Sequence, residues 1–336
     1  MTSVLIVVLN WNGINDTEKC LDSLLAQTYK DFEILVVDNA STDNSLARLR
    51  KIEEKKSKIT VVANTKNKGF AGGVNTGIKY ALEHDFGAVA LFNNDAAADK
   101  EWLSELVKPL SKPKTSIVTG LLLHADGKTI DSTGDYYTQW GIPYPRARDE
   151  KNEDAPESGY VFGGSGGASL YKTALFKEVG LFDESFFMYY EDVDMSFRAQ
   201  LAGYKVYSTN KAIAYHKQSA STNKVPGLAV YNTFKNMPLL YAKNVPTGLL
   251  LPIGARLWLL YVLIFGNAIK KGAGLYALKG WLASIGIFWT RTLWQRMRIQ
   301  GRRKVTTDYI NSIIWHDIPP NQTGMRKFRK FFTGKA

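Results

Sequence analysis

The chain has 336 residues, of which 45% are hydrophobic and 22% charged, so it is long enough for one large α/β domain with an appendage or for two ordinary domains. Its single cysteine, Cys20, excludes a disulfide framework within the chain and a cysteine-rich zinc site, which fits a reducing compartment. Residues 1–3 carry no basic charge and the apolar stretch Val4–Leu9 is too short for a signal peptide, so we expect the protein to stay in the cytoplasm.

The excess positive charge lies in the C-terminal third. The formal net charge is +12, but residues 1–223 carry −4 and residues 224–336 carry +16. The same third holds five of the eight tryptophans. Basic charge mixed with Trp, Leu and Phe is typical of a module that binds a membrane surface, because a bilayer accepts apolar side chains and anionic headgroups attract Lys and Arg. Nucleic-acid binding is the second interpretation, and we expect no nucleic-acid partner.

Strand-like and helical patterns alternate through the first third of the chain. Apolar runs that predict buried strands are Val4–Leu9, Ile34–Val37, Ile59–Ala63 and Gly87–Phe92. Helical spacing follows each of the first three runs. Strands separated by single helices form right-handed crossovers and a mostly parallel sheet, which binds ligands at the carboxyl ends of its strands. Asp38 and Asp95 fall at such ends.

The pattern becomes less regular after this sheet. Residues 127–167 are rich in Gly, Pro and aromatic side chains, which predicts short strands and a mobile loop over the site. Helical spacing returns at Lys172–Val179 and Glu191–Ala202, and Lys205–Ser208 predicts a closing strand. We place the boundary between a domain over residues 1–223 and a helical region over residues 224–336 within Ser219–Pro226.

The C-terminal region contains two apolar stretches, Leu257–Phe265 and Ala273–Thr290, which charged residues flank or interrupt. Neither offers the roughly 20 uninterrupted apolar residues that span a bilayer, so the sequence favours helices that lie in the membrane plane or enter it shallowly. Trp289, Leu293 and Met297 recur at helical spacing among arginines, which is typical of a basic amphipathic helix. Alternatively, the apolar face packs on the N-terminal domain or on a second subunit, so a homo-oligomer is left open.

Two acidic clusters carry the strongest chemical signal. Asp95 closes Asn93-Asn94-Asp95 at the end of an apolar run, and the cluster Glu191–Asp194 opens a predicted helix. This pairing suits an enzyme that holds a metal-bound diphosphate with one carboxylate and removes a proton with the other. Alternatively, Asp95 caps the following helix, the later acids complement a helix dipole, and Asp194 pairs with Arg198 on the surface.

Five stretches of the chain resemble family 2 glycosyltransferases with the GT-A fold. They are Val8–Asn12, Val36–Asp43, Asn67–Asn75, Asn93–Asp95 and Glu191–Asp194, and they occur in the family's order within residues 3–217. The chain is most similar to bacterial rhamnosyltransferases that build cell-surface polysaccharides on lipid carriers. The resemblance implies an inverting transfer of a sugar, with L-rhamnose from dTDP-rhamnose as the best guess, to a lipid-linked saccharide at the cytoplasmic face of the membrane. A UDP-sugar donor is the alternative.

The resemblance also implies a metal site that holds Mg²⁺ or Mn²⁺. Asp95 matches the last carboxylate of the family's DXD-type motif, and His216 matches a second ligand after the last strand. Such ions keep few protein ligands and use diphosphate oxygens for much of their shell, so one good carboxylate can suffice. Asn93 stands where the family motif often has its first Asp. A lone His such as His216 also fits a purely structural role.

The remaining roles follow from the same resemblance. Contacts with the donor are expected from Asn10, Asp38, Asn67, Gly69 and Asn94. Contacts with the acceptor are expected from Gly164, Ser165 and Gly166. Asp38 also suits a turn, and both Gly-rich segments also suit tight connections between elements.

Asp192 matches the general base, which takes the proton of the acceptor hydroxyl during an inverting transfer. Glu191 matches a residue that orients the acceptor or shares the role of base.

Two rival interpretations compete with this one. A processive polysaccharide synthase would carry a Gln-x-x-Arg-Trp motif and a set of spanning helices, neither of which the sequence offers. A non-catalytic membrane- or nucleic-acid-binding protein on a decayed transferase fold is opposed by the intact Asp95 and Asp192.

Overall fold

The computed structural model describes residues 2–217 and 225–317. Within these ranges the strands are β1 Val4–Asn10, β2 Phe32–Asp38, β3 Ile59–Ala63, β4 Ala88–Asn93, β5 Ala96–Ala98, β6 Thr115–His124, β7 Ile130–Ser132, β8 Asp135–Tyr137, β9 Pro143–Pro145, β10 Gly159–Val161, β11 Ala168–Lys172 and β12 Lys205–His216. The α-helices are α1 Ile14–Leu25, α2 Ser45–Glu53, α3 Gly69–Glu83, α4 Trp102–Val107, α5 Thr173–Val179, α6 Glu191–Leu201, α7 Leu228–Asn244, α8 Thr247–Lys270, α9 Gly274–Ile287, α10 Leu293–Gly301 and α11 Thr307–Ile313. The boundary predicted at residue 223 lies outside the described residues and stays a prediction.

One mixed sheet organises the N-terminal part of the molecule. Its strand order is β10-β12-β6-β11-β4-β1-β2-β3, with β5 paired to β12 and β7 paired to β6. The strands β3, β2, β1 and β4 pair in parallel, and β11 is antiparallel to both β4 and β6. The predicted mostly parallel sheet is therefore confirmed. The carboxyl ends of β1, β2 and β4 meet at one edge, where Asn10, Asp38 and Asn93 lie.

Two strands depart from the sequence analysis. β6 was not predicted, although nine of its ten residues are buried, and its apolar run Ile117–Leu123 was the available signal. β12 extends to His216 instead of ending at Ser208. An irregularity in its pairing with β6 falls between Ser208 and Ile213, so the strand resumes after a bulge. This extension places His216 at the same edge of the sheet as Asn10, Asp38 and Asn93.

Side chains alternate between two cores, one on each face of the sheet. Along β1, Val4, Ile6 and Val8 belong to one core, whereas Leu5 and Val7 belong to the other. All five are almost fully buried. The continuous apolar runs of the sequence therefore reflect strands that helices cover on both faces.

A third core joins the C-terminal helices to the N-terminal part. Phe186, Val193 and Phe197 pack with Leu239 and Leu240 of α7, together with side chains from α8 and α11. The C-terminal region therefore packs directly on the helix that carries the second acidic cluster. The sequence left open whether the C-terminal helices pack on the N-terminal domain. The helix α7 and one face of α8 do so.

A buried network of charges fixes α6 to α7. Asp194 is fully buried and binds Arg198 at 2.9 Å, Lys243 at 3.0 Å and the Asn244 amide at 2.8 Å. Lys243 also contacts Asp183 at 2.8 Å. Burial alone would raise the pKa of Asp183, but the Lys243 ammonium holds it well below its usual range. The predicted pairing of Asp194 with Arg198 is correct, but its placement on the surface is wrong, because α7 covers the pair.

The helices α8, α9 and α10 expose a large apolar surface. The side chains with the highest exposure are Leu251 at 82%, Trp258 at 70%, Trp294 at 69%, Trp289 at 65% and Leu275 at 62%. We call the exposed apolar side chains of these helices and of the π-helical turn Phe288–Thr292 the apolar face. The predicted helix around Trp289 and Met297 is confirmed, with that π-helical turn before α10.

The length of α8 corrects one expectation. Its 24 residues form one helix in which Pro252 and Arg256 are included, and by length and composition it is able to cross a membrane. The expectation that neither apolar stretch is long enough was therefore wrong for this helix. Ile253, Leu257 and Leu260 are buried against the rest of the molecule, so one side of α8 is committed to protein contacts.

The buried charge network predicts a large effect of replacing Lys243. Lys243→Met removes the cation that faces Asp183 and Asp194, so two carboxylates stay buried with less compensation. We expect the free energy of unfolding to fall by about 3–5 kcal/mol, measured by urea unfolding. Lys51→Met, at an exposed position of α2, serves as the control and should change it by less than about 0.5 kcal/mol. Equal unfolding midpoints for both variants would show that the network contributes little.

Candidate active site

A cleft of about 590 Å³ opens at the carboxyl ends of the central strands. Nine of the twelve predicted site residues line it, namely Asn67, Gly69, Asn94, Asp95, Ser165, Gly166, Glu191, Asp192 and His216. The three others, Asn10, Asp38 and Gly164, lie behind its wall. The structure therefore brings together the two acidic clusters, which are about a hundred residues apart in the sequence.

Asp95 and His216 form one corner of the cleft. The Asp95 Oδ1 atom lies 3.1 Å from His216 Nε2, and the Asn93 amide nitrogen lies 3.2 Å from the same atom. The other ring nitrogen, His216 Nδ1, lies 2.7 Å from Asp131 Oδ2. Asp131 also binds Arg148 at 2.5 Å. Sequence reasoning missed Asp131, because it sits in a short strand of the irregular segment and no motif marks it.

This corner fits a divalent cation. A carboxylate oxygen and an imidazole nitrogen 3.1 Å apart match adjacent ligands of an ion whose bonds are about 2.1 Å long. Asp131 fixes the far side of the imidazole, as carboxylates commonly do behind metal-bound His. Among the described residues no group of three or more His, Cys, Asp or Glu could hold a metal, so further ligands would have to come from the donor and from water.

The corner favours positive charge, carried by the imidazolium or, once Nε2 has lost its proton, by a bound cation. Burial alone would lower the pKa of the His216 imidazole, but its hydrogen bonds with Asp131 and Asp95 raise it to about 9. The two carboxylates therefore draw positive charge to this position.

A hydrogen-bonded group of amides, formed by Asn39, Asn67 and Gly69, also lines the cleft. The Asn39 amide donates to Asn67 Oδ1 and to the Gly69 carbonyl, both at 3.0 Å. Asn67 Oδ1 in turn accepts from the Gly69 N–H at 2.8 Å. Gly69 has φ of +67°, and a Cβ there would lie 2.3 Å from the Phe187 carbonyl oxygen. Glycine is therefore required by the close approach of the segment that contains Phe187.

Asn10 and Asp38 are buried at the same edge of the sheet and do not line the cleft. Asp38 is 1% exposed and accepts hydrogen bonds from the Asn10 amide at 2.9 Å and from the Ser41 N–H at 3.0 Å. These bonds match the turn-forming role considered for Asp38, and its contact with the donor stays a prediction. Asn94 lines the cleft, where its amide donates to Thr17 Oγ1 at 3.0 Å.

The second acidic cluster faces the cleft from the first turn of α6. Asp192 Oδ2 accepts from the Gly166 N–H at 2.8 Å, and its Oδ1 accepts from the Val193 N–H at 2.8 Å. Burial raises the pKa of Asp192 above its usual value. A Cβ on Gly166 would lie 3.2 Å from Asp192 Oδ2, so the absent side chain leaves this carboxylate accessible.

Glu191 and the glycine-rich segment complete this wall. Burial, followed by the charge of Asp192, raises the pKa of Glu191 well above its usual range. Its Oε2 atom is buried and has no hydrogen-bond partner among the described residues. The Gly164 N–H donates to Ser196 Oγ at 3.2 Å, which ties the segment to α6. Ser165 lines the cleft beside Gly166.

The segment before α6 has an unusual backbone. Phe187, Tyr189 and Tyr190 have φ of 62°, 69° and 70°, values that L-residues with side chains rarely adopt. The Asn236 amide of α7 donates to the carbonyl oxygens of Phe186 at 2.9 Å, Met188 at 2.8 Å and Tyr189 at 2.8 Å. A single side chain from the C-terminal region thus holds the backbone that leads into Glu191 and Asp192.

Lys235 reinforces this contact from the same helix. Its Nζ donates to the Phe186 carbonyl at 3.2 Å. Burial lowers the pKa of Lys235 to about 8, while Glu191 opposes the shift. Sequence reasoning missed Lys235 and Asn236, because nothing in the sequence of α7 indicates that it reaches the cleft.

The hydrogen bonds from Asn236 to the segment before α6 predict that replacing this side chain lowers turnover. Asn236→Asp keeps the size of the side chain but presents carboxylate oxygens to three carbonyl oxygens, so the segment should shift. We expect kcat to fall about 10- to 100-fold with little change in the KM of the donor, because small displacements of catalytic groups cost this much. Steady-state kinetics measure both constants.

The control for this prediction is Asn232→Asp. Asn232 is also buried in α7, but among the described residues its amide bonds only to the Leu228 carbonyl within the helix. Equal kinetics for the two variants would remove Asn236 from the set of residues that position the site.

The comparisons with known proteins agree with this geometry. Residues 3–180 match the family model described as Glycosyl transferase family 2. The low-salt glycan biosynthesis hexosyltransferase Agl10 of Haloferax volcanii is 24% identical over 237 residues, which cover 69% of this chain and 73% of that protein. The N-acetylglucosaminyl-diphospho-decaprenol L-rhamnosyltransferase of Mycobacterium tuberculosis is 28% identical over 251 residues, which cover 67% and 80%.

Solved structures share the fold. The mannosyltransferase PcManGT from Pyrobaculum calidifontis, solved in complex with GDP-Man and Mn²⁺, has a TM-score of 0.55 and 16% identity, with 92% of this chain and 88% of that chain covered. GalNAc-T7, solved with UDP, GalNAc and Mn²⁺, has a TM-score of 0.59 and 17% identity, with 72% and 48% covered.

The sheet and its neighbours confirm the predicted GT-A fold with a C-terminal helical region. The chain belongs to glycosyl transferase family 2, and it is a glycosyltransferase.

Proposed function

We propose that this protein is an inverting, metal-dependent glycosyltransferase that moves a sugar from a nucleoside diphosphate to a hydroxyl group of a lipid-linked saccharide. The observation that supports this most is the position of Asp192 in the same cleft as Asp95 and His216. One wall suits a metal-bound diphosphate and the other suits an acceptor.

The donor's diphosphate would bind at the corner formed by Asp95 and His216. These two side chains would hold Mg²⁺ or Mn²⁺, which when bound neutralises charge on the departing diphosphate. Asn39, Asn67 and Gly69 line the same cleft with amide groups and backbone, which suits contacts with a nucleotide.

Asp192 acts as the general base toward the acceptor. Its carboxylate takes the proton from the acceptor hydroxyl while that oxygen forms a bond to the anomeric carbon. The bond from this carbon to the diphosphate oxygen breaks, and the diphosphate leaves with the electron pair. Hydrogen bonds from Gly166 and Val193 hold the carboxylate in place, and its raised pKa makes it a stronger base than an exposed aspartate.

The choice of donor rests on the relatives. The relative from Mycobacterium tuberculosis is by name an L-rhamnosyltransferase that acts on a decaprenol-linked saccharide, which supports L-rhamnose as the transferred sugar. We take dTDP-rhamnose as its donor. A UDP-sugar donor on the same fold is the second candidate, since GalNAc-T7 was solved with UDP.

The apolar face supports a membrane location. Its tryptophans and leucines lie on helices whose region carries all of the excess positive charge, a combination that suits an anionic bilayer surface. Buried residues occur along α8 from Ile253 to Ala268, so this helix lies against the protein and we place it in the plane of the cytoplasmic membrane face.

Asp192→Asn tests the proposed base. The amide keeps the size of the side chain but cannot accept the proton, so transfer should fall about 10²- to 10⁴-fold while nucleotide binding with metal stays nearly intact. Transfer is measured with labelled donor and binding by calorimetry. Full activity in this variant would remove Asp192 from the mechanism.

The pH dependence of the reaction provides a second test of the base. A raised pKa means that Asp192 becomes protonated, and activity is lost, at a higher pH than for an ordinary aspartate, whose pKa is about 3.9. The acid limb of kcat/KM should therefore lie above that value. An acid limb at or below about 4 would contradict the assignment.

A screen of nucleotide sugars tests the donor and the metal together. With Mg²⁺ or Mn²⁺ present, dTDP-rhamnose should raise the thermal unfolding midpoint more than UDP- or GDP-sugars do, since a ligand stabilises the state it binds. Asp95→Asn should abolish the part of the shift that requires metal. A larger response to a UDP-sugar would favour the second donor, and a response independent of metal would contradict the proposed corner.

A further inference from the structure

A second cavity lies on the side of α6 away from the cleft. It has a volume of about 770 Å³ and is formed by the end of α5, the turn that follows it, the last turns of α6 and the helix α10. None of the residues that line the cleft lines this cavity. It therefore has no part in the transfer chemistry described above.

The charges of this cavity are unbalanced. Six Lys or Arg and three Asp or Glu line it. The three acidic side chains all have partners, because Glu178 binds Lys304 at 2.6 Å, Asp183 binds Lys243 at 2.8 Å, and Glu184 accepts from the Asn75 amide at 3.1 Å. Each acidic side chain therefore already has a partner within the protein.

Two arginines of the cavity remain free. Arg298 and Arg302 are exposed, and their side chains have no ion pair or hydrogen bond among the described residues. They are four positions apart at the end of α10, so their side chains lie on one face, where like charges repel each other. An anion between them would remove this repulsion, and guanidinium groups bind phosphate with paired hydrogen bonds.

The surroundings of the two arginines point to a lipid. Trp294 lies four residues before Arg298 on the same helix and is 69% exposed, and Met297 is 51% exposed. Both belong to the apolar face. A tryptophan beside two unpaired arginines at the mouth of a cavity suits the boundary of a bilayer, where the ring enters the interface and the guanidinium groups meet headgroup phosphates.

We propose that Arg298 and Arg302 bind the phosphate group of an anionic phospholipid at the mouth of this cavity. The proposal rests on the membrane-docking part of the proposed function. It adds a defined headgroup site to the nonspecific attraction between a basic surface and anionic lipid.

The test compares two variants of the full chain that lose the same charge. Arg298→Ala with Arg302→Ala removes the proposed site, whereas Lys270→Ala with Lys271→Ala removes two exposed lysines from the end of α8. Binding is measured by co-sedimentation with vesicles of phosphatidylcholine alone and of phosphatidylcholine with an equal amount of phosphatidylglycerol. Thermal unfolding of both variants without vesicles checks that each is folded.

The proposal expects the arginine variant to lose about tenfold or more affinity for the anionic vesicles beyond the loss of the lysine variant, with equal binding to neutral vesicles. Equal losses in the two variants would overturn it, since the arginines would then contribute only net charge.

Two other results would also overturn the lipid site. If inorganic phosphate stabilises the wild type but not the arginine variant, while both variants bind anionic vesicles equally, the site takes a soluble phosphate and the lipid is excluded. If the wild type binds neither kind of vesicle, the membrane-docking part of the proposed function fails together with this site.

Discussion

The buried contact of Asp194 with Lys243 is the constraint on which the site depends. A carboxylate in the first turn of α6 is neutralised by cations from its own helix and from α7, and Asn244 adds a hydrogen bond. Because a buried charge without partners is very costly, α6 and α7 are held in one relative position. Asp192, two residues earlier on α6, is positioned by the same contact.

This arrangement gives the C-terminal region a structural role in the cleft. The sequence suggested a module that delivers a self-contained domain to a membrane. In the structure α7 shares a core with α6, carries the cation of the Asp194 network, and clamps the segment before Glu191 through Asn236. The region is therefore part of the architecture of the cleft, and its helices α8 to α10 also carry the exposed apolar face.

Much of the fold could be predicted from sequence, because its signals are local. The runs that form β1 to β4 are continuous and apolar, and each predicts a strand buried on both faces. The run Ile213–Tyr215 is strand-like in sequence, but its joining to Lys205–Ser208 as one strand could not be predicted in this way, since it depends on a bulge and on pairing with β6. For α8, the charge of Arg256 set the start of the predicted apolar stretch, but the helix begins at Thr247 and continues through Arg256.

The same contrast between local signals and long-range contacts applies to the residues of the candidate site. Asp95, Glu191 and Asp192 could be found because they stand in short motifs next to recognisable elements. Asp131 and Asn236 act only through contacts between distant segments, with His216 in one case and with the backbone before α6 in the other. A single sequence carries no local pattern for such contacts, so these residues become visible only when the chain is folded.

We propose that one cleft holds the donor's diphosphate at Asp95 and His216 while Asp192 activates an acceptor on the opposite side of the sugar. The anomeric configuration of the product tests this most directly, measured by NMR after transfer from a nucleotide sugar of known configuration. We expect a product whose configuration is opposite to that of the donor, because attack and departure occur on opposite faces. A product that retains the donor's configuration would contradict it.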